Sequence, residues 1–154
     1  MVKATQSQLK NEASRFLKKE VISVGLFDVS INHGKRGVRA IGLAAVIYDS
    51  EAPIMVVAVT QRNIYLLGWK GTHYSGSITK KLQTFDRTGA TIKSHTRDII
   101  MQRTVHTIEI SEDGNSAKIN CIIYGTRINQ TMQREVINVL YCMERLCRNT
   151  YIRS

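Results

Sequence analysis

The sequence is poor in the residue patterns that mark disulfide-rich and metal-binding proteins. It contains three cysteines and four histidines in 154 residues, and none of them has CxxC, HxxxH or HExxH spacing. These absences argue against a disulfide framework and against a zinc site. We expect the three cysteines, Cys121, Cys142 and Cys147, to be buried thiols.

Catalytic signatures are absent as well. The chain has no GxSxG elbow, no P-loop and no dinucleotide fingerprint, and its 12 acidic residues are scattered, so no carboxylate pair can be nominated. We therefore predict that the chain is not an enzyme, with no catalytic residue, metal or cofactor.

Long apolar runs are also missing. The longest, from Ile41 to Tyr48, is far shorter than the ~20 residues that a membrane-spanning helix needs. After Met1 the chain is polar, unlike a signal peptide. We expect a cytoplasmic protein without a transmembrane helix, with peripheral association at the membrane as the alternative to a purely cytoplasmic location.

What the chain does have is the composition of one folded domain. Hydrophobic residues make up 43%, there is a single proline, and no tract is of low complexity, so disorder is not expected. We predict one domain over residues 1–154, with a helix or arm over 1–20, mostly antiparallel strands over 21–128 and a helix over 129–148.

Helical periodicity occurs at the two ends. Near the start, Leu9, Ala13, Phe16 and Leu17 recur at helical spacing. Towards the end, a longer stripe runs at steps of three and four residues from Met132 to Cys147. The first pattern predicts a short amphipathic helix, and the second a long helix whose apolar stripe packs on a sheet.

Strand signals fill the middle of the chain. Residues 54–69 predict a hairpin, because β-branched and aromatic residues flank the polar turn Gln61-Arg62-Asn63. Residues 70–81, rich in glycine, serine and threonine, predict a solvated loop. Further strand-like segments are expected at 20–31, 38–48, 82–87, 91–94, 99–102, 105–110 and 117–124. The predicted fold class is α+β, with a curled antiparallel sheet closed by the C-terminal helix.

Two segments resemble bacterial domains of the pleckstrin-homology-like (PH-like) and GRAM-like type. The hairpin from Val56 to Leu66 is similar to a hairpin of those domains, and Phe85 to Ile92 is similar to the step that follows it. The resemblance covers about residues 54–147. It implies a partly open PH-like barrel that serves as a binding scaffold, with lipid headgroups, peptides, protein partners or self-assembly as its possible targets.

Basic residues dominate the charge. The chain has 22 lysines and arginines and a formal net charge of +10, which draws a protein to anionic surfaces. The loop His33-Gly34-Lys35-Arg36-Gly37 and nearby Arg39 form a candidate phosphate site, because glycines let the backbone approach a phosphate while cations neutralise it. A merely solvated basic loop is the alternative. The full set of anion-binding candidates is Lys35, Arg36, Arg39, Lys70, Lys80 and Lys81.

Three non-catalytic functions remain open from the sequence. A protein-interaction or self-assembly module and a binder of anionic phospholipid headgroups both agree with a basic PH-like scaffold. Nucleic-acid binding relies on charge alone, because aromatic residues are only 6% of the chain and no RNP-like pattern occurs.

Overall fold

Eight strands and two helices make up the parts of the chain that the computed structural model describes, which are residues 1–32, 54–99, 103–122 and 131–143. In chain order they are β1 (Val2–Lys3), α1 (Gln6–Leu17), β2 (Ser23–Asn32), β3 (Ile54–Val59), β4 (Asn63–Gly71), β5 (Ser75–Asp86), β6 (Thr91–Ile99), β7 (Arg103–Glu112), β8 (Asn115–Ile122) and α2 (residues 131–143).

The strands form one antiparallel sheet in the order β1-β5-β4-β3-β2-β8-β7-β6. The β2 strand joins its two parts, because residues Ser23–Asp28 pair with β3 whereas Asp28–Asn32 pair with β8. The part from β1 to β2 is strongly curled into a half-barrel, and β8, β7 and β6 extend it as a smaller sheet. The predicted fold class is confirmed.

Both faces of the curled sheet are covered. Val57 and Val59 of β3 belong to a core cluster on the inner face, and Val56 and Ala58 belong to a second cluster on the outer face. All four side chains are fully buried. Because neighbouring residues of a strand point to opposite faces, a run of buried residues in β3 requires a layer on each side.

The inner layer is α2. Its buried residues Val136, Ile137, Leu140 and Met143 lie in the inner cluster with side chains of the sheet. This confirms the prediction that the apolar stripe of the last helix packs on the sheet.

The start of α2 also covers part of a strand edge. Among the described residues, the first half of β2 pairs with β3 on one side and with no strand on the other. On that open side, Nε2 of the buried Gln133 donates to the carbonyl oxygen of Leu26 at 2.8 Å. Gly25 permits the approach, since an added Cβ would lie 2.9 Å from Phe27 Cε2 and 3.5 Å from Gln133 N. The side chain of Gln133 thus satisfies a carbonyl that a β-ladder leaves open.

The outer layer is α1. Thr5 caps its N-terminus by accepting from the amide of Gln8, and the buried Leu9 and Ala13 face the outer cluster. The Gln6 amide donates to both carboxylate oxygens of Glu135 at 3.0 and 2.9 Å, which ties α1 to α2. The prediction of a short N-terminal helix is confirmed.

The turns are fixed by short-range hydrogen bonds. Thr60 Oγ1 accepts from the Asn63 amide at 3.1 Å across the turn of the predicted hairpin, and Arg87 donates to the Thr60 carbonyl at 2.9 Å. In the turn after β5, Asp86 Oδ1 accepts from the amide and the hydroxyl of Thr88 at 2.9 and 2.8 Å. These two bonds, the amide bond first, hold the pKa of the Asp86 carboxyl below its usual value.

Two sequence predictions are wrong. Residues 70–81 are the end of β4, a short turn and most of β5, rather than a solvated loop. Gly76 lies in a strand, although glycine is usually a turn signal. Glycine is needed at this position because the Trp69 ring occupies the space that a Cβ would fill. Cys142 is exposed, contrary to the expectation of a buried thiol. It lies about 200° around α2 from the buried Leu140.

Several predictions fall outside the described residues. They concern the basic loop with Lys35, Arg36 and Arg39, the strand expected over 38–48, and the last residues of the C-terminal helix. Of the helices in the part of the chain that the structure describes, none has the length and apolar character needed to span a bilayer.

Candidate anion-binding surface

Two lysines lie against one tyrosine on the outer face of the sheet. The ammonium of Lys19 donates to the Tyr65 hydroxyl at 2.9 Å and lies 5.6 Å from the centre of the Tyr65 ring. The ammonium of Lys81 lies 5.9 Å from the same centre. Lys19 is thus held by its hydrogen bond to the hydroxyl, while Lys81 lies within the ~6 Å over which an aromatic ring attracts a cation. The buried Tyr65 therefore contacts both lysines.

The end of α1 sets the position of Lys19. Lys18 caps the helix in the left-handed conformation, with φ 54°, and its amide donates to the carbonyl of Ser14. The Ser14 hydroxyl accepts from the Val21 amide at 3.2 Å. The chain therefore leaves the helix along a fixed path that brings Lys19 to Tyr65.

Irregular pairing between β4 and β5 sets the position of Lys81. The register shifts twice, between Leu66 and Leu67 and again between Leu67 and Trp69, which leaves extra residues on β5. Lys81 then lies opposite Leu67, whose side chain belongs to the outer cluster. Residues directly opposite each other share a face, so the bulge aims Lys81 to the outer face beside Tyr65.

The other two described candidates do not join this site. Lys80 lies within the irregular stretch of β5 between Ile78 and Lys81 and forms no contact with the Tyr65 ring. Lys70 follows the outward-facing Trp69, and alternation directs it to the inner side. Of the predicted residues that the structure describes, Lys81 is the one at the Tyr65 ring.

Lys19 was not predicted. The sequence signal was the pair Lys18-Lys19 at the end of a helical pattern, but only the helix cap and the packing of α1 on the sheet bring Lys19 to Tyr65. A contact between residues 46 positions apart cannot be obtained from the local pattern of either segment.

Carboxylates are arranged differently around these lysines than elsewhere. Among the described residues, Arg15 forms an ion pair with Glu12 at 3.6 Å. No described carboxylate forms an ion pair with Lys19 or Lys81. On the smaller sheet, by contrast, Lys93 and Lys118 each lie opposite Glu109 across neighbouring strands. The lysines of β6 and β8 thus face a carboxylate across the ladder, whereas Lys81 lies opposite the apolar Leu67 and the carboxylate nearest to Lys19 in the chain is that of Glu20.

No family model, curated protein or solved structure matches the chain. Its function is therefore inferred from its own surface.

A polar cleft beyond the end of β5 has the opposite charge. It encloses about 420 Å³ between the turns that follow β5 and β7, and its lining includes Glu112 and Asp113. In the part of the chain that the structure describes, no three histidine, cysteine or acidic residues lie close enough to hold a metal ion. The cleft therefore has the wrong charge for an anion.

The chemistry available at Tyr65 is the binding of an anion. Two ammonium groups offer several hydrogen-bond donors, and the hydroxyl and the ring of Tyr65 restrain them without neutralising them. Neither a general base nor a paired nucleophile is present among the three side chains of the site.

Proposed function

We propose that this chain is a non-catalytic PH-like module that recognises anionic phospholipid headgroups at a membrane surface through Lys19 and Lys81. The observation that carries the proposal is the pair of ammonium groups within 6 Å of the Tyr65 ring, with no carboxylate among the described residues to pair with either. The module is cytoplasmic and peripheral at the membrane.

The architecture supports the PH-like assignment. A curled antiparallel sheet closed by a C-terminal helix is the arrangement that the resemblance implies, and the hairpin of β3 and β4 lies where the resembling residues are. Fold alone does not fix the ligand, so the proposed ligand class depends on the lysine pair.

The physical basis is charge complementarity. The inner leaflet of a membrane carries negative surface potential, and each lysine near it contributes roughly 1 kcal/mol of binding. Two lysines on one face therefore account for roughly 2 kcal/mol, which corresponds to about thirtyfold in affinity. Self-association of the module would multiply this weak contact through avidity.

The test is co-sedimentation with vesicles of phosphatidylcholine alone and of phosphatidylcholine with phosphatidylserine, at physiological salt. The wild-type chain is expected to pellet with the anionic vesicles, and the Lys19→Gln, Lys81→Gln double variant to lose roughly thirtyfold in affinity. The Lys93→Gln, Lys118→Gln double variant is the matched control, because it removes the same charge from lysines that face Glu109.

Three results would overturn the proposal. The first is no pelleting of the wild type with anionic vesicles. The second is equal loss in the two double variants, which would make the effect one of net charge. The third is equal affinity for vesicles and for single-stranded RNA of the same phosphate concentration, which would favour a nucleic-acid partner.

A further inference from the structure

Two large apolar side chains are exposed next to the lysines of the site. Phe16, near the end of α1, retains 39% of its accessible surface, and Ile22, just before β2, retains 45%. Between them in the chain lie Lys18 and Lys19, both exposed. Exposed apolar and basic residues, together with the exposed Glu20, thus lie in one short segment whose path the helix cap fixes.

Phe16 lies on the flank of α1 that faces β5. Gln8, Glu12 and Phe16 are four residues apart and form one row along the helix. Gln8 Oε1 accepts from the amide of Lys3 at 3.1 Å, and Lys3 pairs with β5. The row therefore follows the side of the helix next to β5, the strand that carries Lys81.

Ile22 lies on the other side of Lys19 in the chain, directly before β2. Its amide donates to the carbonyl of Val59 at 2.8 Å, and Val59 also pairs with Ser23, so Ile22 and Ser23 both lie opposite Val59. This bond fixes the backbone of Ile22 shortly after Lys19. The segment that carries Lys19 therefore has an exposed apolar side chain before it and another after it.

We infer that the end of α1 contacts the bilayer directly, with Phe16 and Ile22 entering the interfacial region of an anionic membrane while Lys19 and Lys81 hold lipid phosphates. The inference rests on the proposed function. Charge complementarity supports a membrane rather than a protein as the occupant, because interfacial segments place apolar side chains beneath a rim of unneutralised lysines.

The experiment separates insertion from charge attraction. Binding of the Phe16→Ser, Ile22→Ser double variant to vesicles of phosphatidylcholine and phosphatidylserine is measured at about 0.1 M and 0.5 M NaCl, since salt screens charges but not apolar burial. We expect roughly a tenfold loss of affinity at low salt and loss of the binding that remains at high salt. Tyr74→Ser, which removes a 68% exposed side chain near the other end of α1, is expected to bind like the wild type.

A soluble anion distinguishes this inference from the proposed function. The Phe16→Ser, Ile22→Ser variant is expected to bind inositol hexakisphosphate like the wild type, because its lysines are intact. If this variant also binds vesicles like the wild type while the Lys19→Gln, Lys81→Gln variant does not, insertion is refuted and the proposed function stands. If the wild type binds no anionic vesicle, both are refuted.

Fluorescence quenching gives a second test of insertion. It requires no affinity measurement, and it does not require the protein to fold with two introduced serines. Phe16→Trp keeps an aromatic side chain, and its fluorescence on vesicles with brominated acyl chains is expected to be quenched more strongly than that of Tyr74→Trp. The native Trp69 contributes the same background to both, since it is the single tryptophan of the chain. Equal quenching of the two variants would overturn insertion.

Discussion

The bond from Gln133 to Leu26 is expected to make a measurable contribution to stability, because it joins the C-terminal helix to the middle of the sheet. Gln133 is buried, and its amide donates to the Leu26 carbonyl at 2.8 Å. Gln133→Met keeps the length and approximate volume of the side chain but removes the donor. The carbonyl of Leu26 then stays buried without that donor.

The expected loss follows from the cost of an unsatisfied buried acceptor. That cost is about 1–3 kcal/mol, and for a chain of this size it corresponds to a fall in Tm of roughly 2–12 °C. Chemical denaturation followed by circular dichroism measures the free energy of unfolding, and a thermal melt gives Tm.

The matched control is Asn138→Met, which introduces the same side chain at an exposed position of the same helix. It is expected to change the free energy of unfolding by less than about 0.5 kcal/mol. If Gln133→Met is no less stable than Asn138→Met, the reasoning that α2 satisfies the open edge of β2 is refuted.

Two further predictions concern the turns and the hairpin of β4 and β5. Gly76→Ala is expected to cost about 1–3 kcal/mol and to shift the emission of Trp69, because the new Cβ would lie 2.5 Å from Trp69 Cε2 and 2.6 Å from the Lys70 carbonyl oxygen. Gly89→Ala is the control, since its Cβ would meet the far end of the Glu112 side chain, which can move at the cost of its exposed 3.2 Å bond from the Asp86 amide, and equal effects of the two variants would contradict the packing argument. Asp86 is expected to titrate below its unfolded value in an NMR titration, because its pKa is lowered by Thr88. The stability that it contributes is present above the unfolded pKa of about 3.9 and is lost as the pH falls through the folded value. Thr88→Ala removes the hydroxyl donor and is expected to raise the pKa of Asp86; an unchanged value would refute the assignment.

The elements that local patterns specify were predicted from the sequence. The hairpin of β3 and β4 is marked by apolar runs around a polar turn, and α1 and α2 are marked by their stripes. The strand β5 was missed because Gly76 and its serine and threonine neighbours are typical of turns. Their strand conformation depends on pairing with β4 and on the Trp69 ring, which are tertiary effects.

The candidate site was predicted in part, for a related reason. Lys81 was selected by charge, but its face is set by two bulges that the sequence does not reveal. Lys70 and Lys80, selected together with it, form no contact with the Tyr65 ring. Lys19 reaches the site through the packing of α1 on the outer face, which depends on contacts distant in sequence.

The most direct test of the proposed function is a double-mutant cycle of Lys19 and Lys81 on the affinity for phosphatidylserine vesicles, read with the single variants Lys19→Gln and Lys81→Gln. If the two ammonium groups hold the same headgroup phosphate beside Tyr65, each single variant loses nearly as much affinity as the double variant, and the two effects are strongly non-additive. Additive losses, each equal to that of Lys93→Gln, would mean that the two lysines act only as separate surface charges, and they would contradict a shared anion site.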